Sequence, residues 1–176
     1  MNHEIILAGF GGQGILFAGK LLAYTGMIFD KAVSWLPSYG PEMRGGTCNC
    51  HIMLKDDVVG SPYVANPTEA VILNKPSFDK FESTVAPGGK IFYDSSLCDN
   101  EHKRTDIEYI AIPATTLAYD MNASKLANMI ITGKVLKDTG MFTLEDVFVA
   151  LEKMIPAKKA EMLEINKKAI ETGFNY

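Results

Sequence analysis

The opening stretch HEIILAGFGGQGILFAGKLLAY, residues 3–24, does most to limit what this chain can fold into. From His3 to Gly9 the residues form a short apolar run that ends at glycine, as a buried strand does. Gly9, Gly11 and Gly14 then spell G-x-G-x-x-G. From Gly12 to Tyr24 the apolar residues Ile15, Leu16, Leu22 and Ala23 fall at helical spacing. Ala18 and Gly19 lie between them, small enough to let a helix approach a sheet closely. Strand, glycine turn and helix in that order begin an α/β sheet.

The rest of the chain extends this pattern. KAVSWL predicts a second strand up to Leu36, TCNCHIML a third, VVGSPYV a short partner closed by Pro62, and EAVILN (Glu69 to Asn74) another buried strand. In TCNCHIML, Cys48, Cys50 and Ile52 alternate with Asn49, His51 and Met53, so each set takes one face. Pro76 starts a helix that stops at Pro87-Gly88-Gly89. KIFYDS and IEYIAIPA are two further strands. After them the periodicity turns helical over Lys125 to Lys137, Leu144 to Met154 and Ala157 to Thr172, and Thr143 with Glu145 and Asp146 makes an N-cap followed by an acidic first turn. The reading is α/β: a single Rossmann-like domain over residues 1–176, with a mostly parallel sheet, a β-rich insertion and a helical C-terminal cap.

Bulk properties exclude several classes. A chain of 176 residues suits one sizeable core. A net charge of −4 dictates no basic surface and disfavours a nucleic-acid partner. Three cysteines cannot all pair, so reduced thiols in a cytoplasm are expected. The start has no charged region followed by an apolar one, and no apolar run spans a bilayer, so a soluble cytoplasmic protein is expected.

The glycine fingerprint asks for NAD, and its neighbours do not support that. A dinucleotide site places an acid at the end of the second strand, about 20 residues on, to hold ribose hydroxyls. Asp30 has the spacing but lies in the turn before that strand, which ends Ser34-Trp35-Leu36. Two readings of the turn stay open. Gly9, Gly11, Gly12, Gln13 and Gly14 form either a seat for an anion such as a phosphate or carboxylate at a helix N-terminus, or simply a tight strand-to-helix turn.

A second constellation lies in PSYGPEMRGG, Pro37 to Gly46, where two prolines and three glycines argue against regular structure. It presents Tyr39, Pro41, Glu42, Arg44, Gly45 and Gly46. Arg44 is the chain's best carboxylate or anion ligand, because its planar fork binds bidentately. With no nucleophile or general base beside it, the loop reads as an interface rather than a catalytic device, and no catalytic residue is assigned. His3, His51 and His102 are dispersed and show no zinc spacing, so no metal site is expected. Cys48, Cys50 and Cys98 fall short of the four thiolates an iron–sulfur cluster usually takes. Ser95 and Ser96 lack a G-x-S-x-G elbow.

Taken together, GFGGQGILFAGKLLA, WLPSYGPEMRGGTCNCHIMLKDDVVGSP, APGGKIFYDSS, ANMIITGKVLK and a final lysine-rich helix with Asn166 resemble the gamma subunit of the 2-oxoacid:ferredoxin oxidoreductases over nearly the whole chain. The resemblance takes in the pyruvate, 2-oxoisovalerate and 2-oxoglutarate types, with WLPSYGPEMRGG nearer the 2-oxoglutarate and branched-chain ones. It implies a Rossmann-like subunit of a complex that makes acyl-CoA and CO₂ from a 2-oxoacid and coenzyme A and passes electrons to ferredoxin. The resemblance then places thiamine diphosphate on the alpha and beta subunits and iron–sulfur clusters on the beta or a ferredoxin-like delta subunit, makes Gly9, Gly11, Gly12, Gln13 and Gly14 a candidate turn for coenzyme A, and leaves the isolated chain silent. The alternatives are a free-standing NAD-binding oxidoreductase and a purely structural adaptor.

Overall fold

The opening apolar run becomes β1 (Asn2–Phe10), the strand around which everything else is arranged. Ile5, Ile6, Leu7 and Ala8 are each at most 2% exposed, which requires cover on both faces of the sheet. A computed structural model describes residues 1–39 and 46–176. After β1 come α1 (Ile15–Ile28), β2 (Ala32–Tyr39), β3 (Thr47–Lys55), β4 (Glu69–Ile72) and α2 (Lys75–Phe81). The chain continues through β5 (Lys90–Asp94), β6 (Glu108–Ile112), α3 (Ala114–Asp120), α4 (Ala127–Thr139), α5 (Leu144–Met154) and α6 (Ala160–Asn175).

The strands form one sheet in the order β2-β3-β1-β4-β5-β6. β1, β4, β5 and β6 pair in parallel, while β3 pairs antiparallel with both β1 and β2. β2 therefore runs with β1, and β3 is the one reversed strand. The β-rich insertion expected from the sequence is thus the hairpin β2–β3, with β3 wedged beside β1.

The alternation in β3 sorts its residues as expected. Cys48, Cys50, Ile52 and Leu54 join Ile5, Leu7, Val71 and Phe92 in the larger core, beneath α1, α3, α4, α5 and α6. Met53 joins Ile6, Ala8, Ile72 and Ile91 in the smaller core, under Phe78 and Phe81 of α2 and under Val64 and Cys98. The small residues of α1 also act as expected: a Cβ on Gly19 would lie 2.3 Å from Cys50 Sγ, and one on Gly26 would lie 2.6 Å from Leu54 Cδ2. Helix ends follow sequence chemistry. Asn74 caps α2 by accepting from Ser77 N–H at 2.8 Å, with proline in the first turn. Thr143 and Asp146 form a reciprocal capping box on α5.

Two expectations need correction. Strand β2 runs through Pro37 to Tyr39 rather than stopping at Leu36. It lies at the sheet edge, where a proline's missing N–H is tolerated. VVGSPYV forms no strand. Val58 is 86% exposed, and the segment is anchored instead by buried Val64, whose N–H donates to His51 Nδ1 at 3.2 Å. The short helix α3, behind Pro113, had no periodic signal long enough to find. Among the described residues no helix is long and apolar enough to cross a membrane.

Candidate functional site

The carboxyl ends of β1, β4 and β5 share one edge of the sheet, and the glycine turn leaves β1 there. Gly12 has φ +100° and Gly14 has φ +75°, a backbone region that side chains rarely adopt. The turn brings the chain from Phe10 into α1 within four residues, so the first N–H groups of α1 and the positive end of its dipole face this edge. A Cβ added to Gly12 would meet nothing within 4 Å among the described residues, so the turn is open on that side.

Gln13 serves the turn itself. Its Oε1 accepts from Phe10 N–H at 2.6 Å and its Nε2 donates to the Leu73 carbonyl at 2.9 Å. One side chain thereby ties the ends of β1 and β4 together. Gly9 must be small to allow this, since a Cβ there would lie 2.5 Å from Gln13 Oε1. An amide held this way by two backbone groups helps to shape the turn.

Gly14 caps α1 from the left-handed region, and its carbonyl accepts from Ala18 N–H at 3.1 Å and from Asn128 Nδ2 at 3.0 Å. Asn128 is the second residue of α4 and is 4% exposed. It brings the start of α4 against the start of α1, and its Oδ1 is buried without a partner among the described residues. Sequence reasoning missed Asn128 as a site residue. It lies inside ANMIITGKVLK, but no spacing links it to a turn 114 residues earlier.

The described ends of the second constellation reach the same edge. Tyr39 pairs with Cys48 and Thr47 pairs with Phe10, so the end of β2 and the start of β3 lie beside the glycine turn. Gly11 N–H donates to the Gly46 carbonyl at 2.9 Å and joins the two directly. Tyr39 ends β2 and Gly46 precedes β3. Pro41, Glu42, Arg44 and Gly45 lie outside the described residues.

Of the remaining candidates, Asp94 and Ser96 follow β5 to this same edge but are engaged with α3, and none adds a ligand to the glycine turn. On the β2–β3 side, the strand next to β1 is β3, which runs the other way and contributes Thr47 and Cys48 there, neither a carboxylate. Asp30, at φ +55°, lies in the turn between α1 and β2, at the opposite edge. Asp94, fully buried at the end of β5, accepts from Ser96 N–H at 3.0 Å and Thr115 N–H at 3.1 Å, so it holds the 95–98 turn to α3. Ser96 Oγ lies 2.9 Å from Thr116 Oγ1. The thiols do not fit an iron–sulfur cluster: Cys48 and Cys50 belong to one core and Cys98 to the other. Burial pushes both Cys50 and Cys98 up to about 12, which keeps them protonated. Among the described residues no three His, Cys, Asp or Glu side chains gather as a metal site.

Comparison with known proteins identifies the family and the fold. Residues 4–176 match the family described as pyruvate ferredoxin/flavodoxin oxidoreductase. The chain is 35% identical over 174 residues to the ketoisovalerate oxidoreductase subunit VorA of Methanothermobacter marburgensis, covering 98% of this chain and 36% of that relative. It thus spans little more than a third of that relative's length. It is 30% identical to the 2-oxoglutarate synthase subunit KorC of Methanocaldococcus jannaschii, covering 89% of this chain and 85% of the relative. The crystal structure of the keto/oxoacid ferredoxin oxidoreductase gamma subunit from Geobacter sulfurreducens superposes with a TM-score of 0.82 at 27% identity, over 98% of this chain and 96% of the other. The mixed α/β fold expected from the sequence is therefore the fold of that gamma subunit. With a match over residues 4–176, the chain belongs to the pyruvate ferredoxin/flavodoxin oxidoreductase family.

Proposed function

We propose that this chain works as one unit, residues 1–176, as the gamma part of a 2-oxoacid:ferredoxin oxidoreductase, and that its glycine turn receives the anionic end of coenzyme A. The observation that carries this reading is the convergence at one sheet edge. Gly12 opens outward from the turn, the starts of α1 and α4 meet through Gly14 and Asn128, and the β2–β3 hairpin is tied in through Gly11 and Gly46. Helix starts and open backbone favour a phosphate or carboxylate. Gly9, Gly11 and Gly14 shape the cradle and Gln13 braces it. Tyr39, Pro41, Glu42, Arg44, Gly45 and Gly46 form the loop that meets a neighbouring subunit. Thiamine diphosphate belongs to the alpha and beta partners and the clusters to the beta or delta partner, and ferredoxin is reached through the complex. The choice of 2-oxoacid also rests with those partners.

The NAD reading is disfavoured by topology. The antiparallel β3 occupies the place of the strand whose carboxyl end would present a ribose-binding acid. Calorimetric titration of the full chain with coenzyme A, ADP and NADH tests the choice. Coenzyme A should bind, and Gly12→Ala should weaken it by about tenfold, with melting followed in parallel to separate backbone strain from ligand contact. Micromolar NADH binding without coenzyme A binding would reinstate the dehydrogenase. No binding by any of the three would leave the structural adaptor.

A further inference from the structure

On the face of the sheet away from α1, a cavity of about 230 Å³ lies between β2–β3, the Tyr63–Ala65 segment and the end of α2. The alternation of β3 places Asn49 and His51 on this face. Both are at least nine-tenths buried, with Asn49 9% and His51 6% exposed. His51 Nδ1 lies 3.2 Å from the Val64 nitrogen and 3.1 Å from the Val64 carbonyl oxygen, so Val64 partners it in either tautomer, and the ring stacks on Tyr63 with centroids 4.9 Å apart. In the tautomer that accepts the Val64 N–H, the neutral ring carries its proton at Nε2. That N–H and the Asn49 amide have no hydrogen-bond partner among the described residues. Both groups line one cavity, so they are available to a ligand that enters it.

Charge narrows the choice. Lys80 lines the same cavity and makes no ion pair among the described residues. Its Nζ lies 5.0 Å from the Phe81 ring centroid. Ser38 adds a hydroxyl at the rim, and no Asp or Glu among the described residues lines the cavity. Ile6, Val64 and Phe81 supply an apolar wall. The cavity also receives the C-terminal end of α2, whose partial negative charge works against a doubly charged ligand.

We propose that this cavity is a binding site for a small organic monocarboxylate. Lys80, the His51 Nε2–H and the Asn49 amide engage the carboxylate, and the apolar wall holds its hydrocarbon body. The site is separate from the glycine turn, and its test does not depend on the coenzyme A reading.

The probes are isovalerate, isovaleramide and inorganic phosphate, titrated into the full chain while the His51 side-chain resonances are followed by NMR. Isovalerate should shift them saturably, with a Kd of about 1 mM or tighter. The neutral amide and phosphate should bind at least about tenfold more weakly. Lys80→Ala, at an exposed position, should weaken isovalerate by about tenfold with an unchanged melting temperature. Asn49→Ala should do the same, and its melting curve shows whether the fold is kept. The proposal is overturned if isovalerate gives no saturable shift, if the amide or phosphate binds as well, or if folded Lys80→Ala binds isovalerate with wild-type affinity.

Discussion

The Asn128 side-chain amide donates to the carbonyl of Gly14 at 3.0 Å, so the starts of two helices 114 residues apart are fastened at one point. The same contact fixes the identity of both residues. A Cβ at position 14 would lie 2.4 Å from Asn128 Nδ2, and φ +75° already disfavours a side chain. Gly14→Ala should therefore destabilise the chain by roughly 2 kcal/mol or more, combining strain of about 1–3 kcal/mol with the displaced amide. Asn128→Ala, which removes the donor and leaves the Gly14 carbonyl bonded to Ala18, should cost only about 1 kcal/mol. Denaturant titrations of both variants check the order. Equal losses would mean that the contact does not dictate the glycine.

Gln13 makes a separable prediction. Gln13→Glu keeps the acceptor for Phe10 N–H but sets a carboxylate oxygen against the Leu73 carbonyl in place of a donor. A loss of about 1–3 kcal/mol is expected at neutral pH, with partial recovery as the new carboxyl is protonated in acid. Gln13→Leu loses both bonds and should show no such recovery. Thermal melts of the two variants at pH 7 and pH 4 distinguish these cases.

The thiols predict alkaline behaviour. Burial raises Cys50 and Cys98 to about 12, against about 8.5 in an unfolded chain. Below the unfolded value both states hold the proton and nothing is lost. As pH rises through that window the unfolded thiols ionise first, so the folded state loses stability progressively toward 12. The folded protein should resist a thiol reagent at pH 8 and react when denatured, and its denaturation midpoint should fall between pH 8 and pH 10. Rapid labelling of Cys50 in the folded state would contradict its burial.

Much of this architecture was legible locally. The strand–turn–helix opening, the two-faced β3, and the caps at Asn74 and Thr143 are decided by residues adjacent in sequence. What stayed hidden depends on long-range contacts. Pro37 argued against a strand because nothing local says that β2 lies at an edge. Val58 and Val64 looked like strand residues, yet the latter pairs with a histidine side chain. At the site the glycines were plain, whereas Asn128 was not, because its role exists only where α4 meets α1. His51 was set aside for lacking zinc spacing. Its placement beside Asn49 and Lys80 appears only once α2 is laid against β3.

Helices α4 and α6 meet backbone to backbone at two glycines. Gly133 of α4 and Gly173 of α6 face each other: a Cβ on Gly133 would lie 1.9 Å from the Ile170 carbonyl oxygen, and one on Gly173 would lie 1.7 Å from the Ile130 carbonyl oxygen. These neighbours are backbone, so no rotamer change relieves the clash and the helices must separate. In an exposed helix a glycine-to-alanine change stabilises by up to about 1 kcal/mol. Here each single change should instead destabilise by roughly 1–3 kcal/mol or more, the usual cost of overpacking. The double variant should cost less than the sum of the two. Separation forced by the first Cβ already makes room for the second, and residues in contact are where additivity fails. A double-mutant cycle by urea denaturation measures this coupling. Full additivity, or stabilisation by either alanine, would show that α4 and α6 do not meet backbone to backbone at these two glycines.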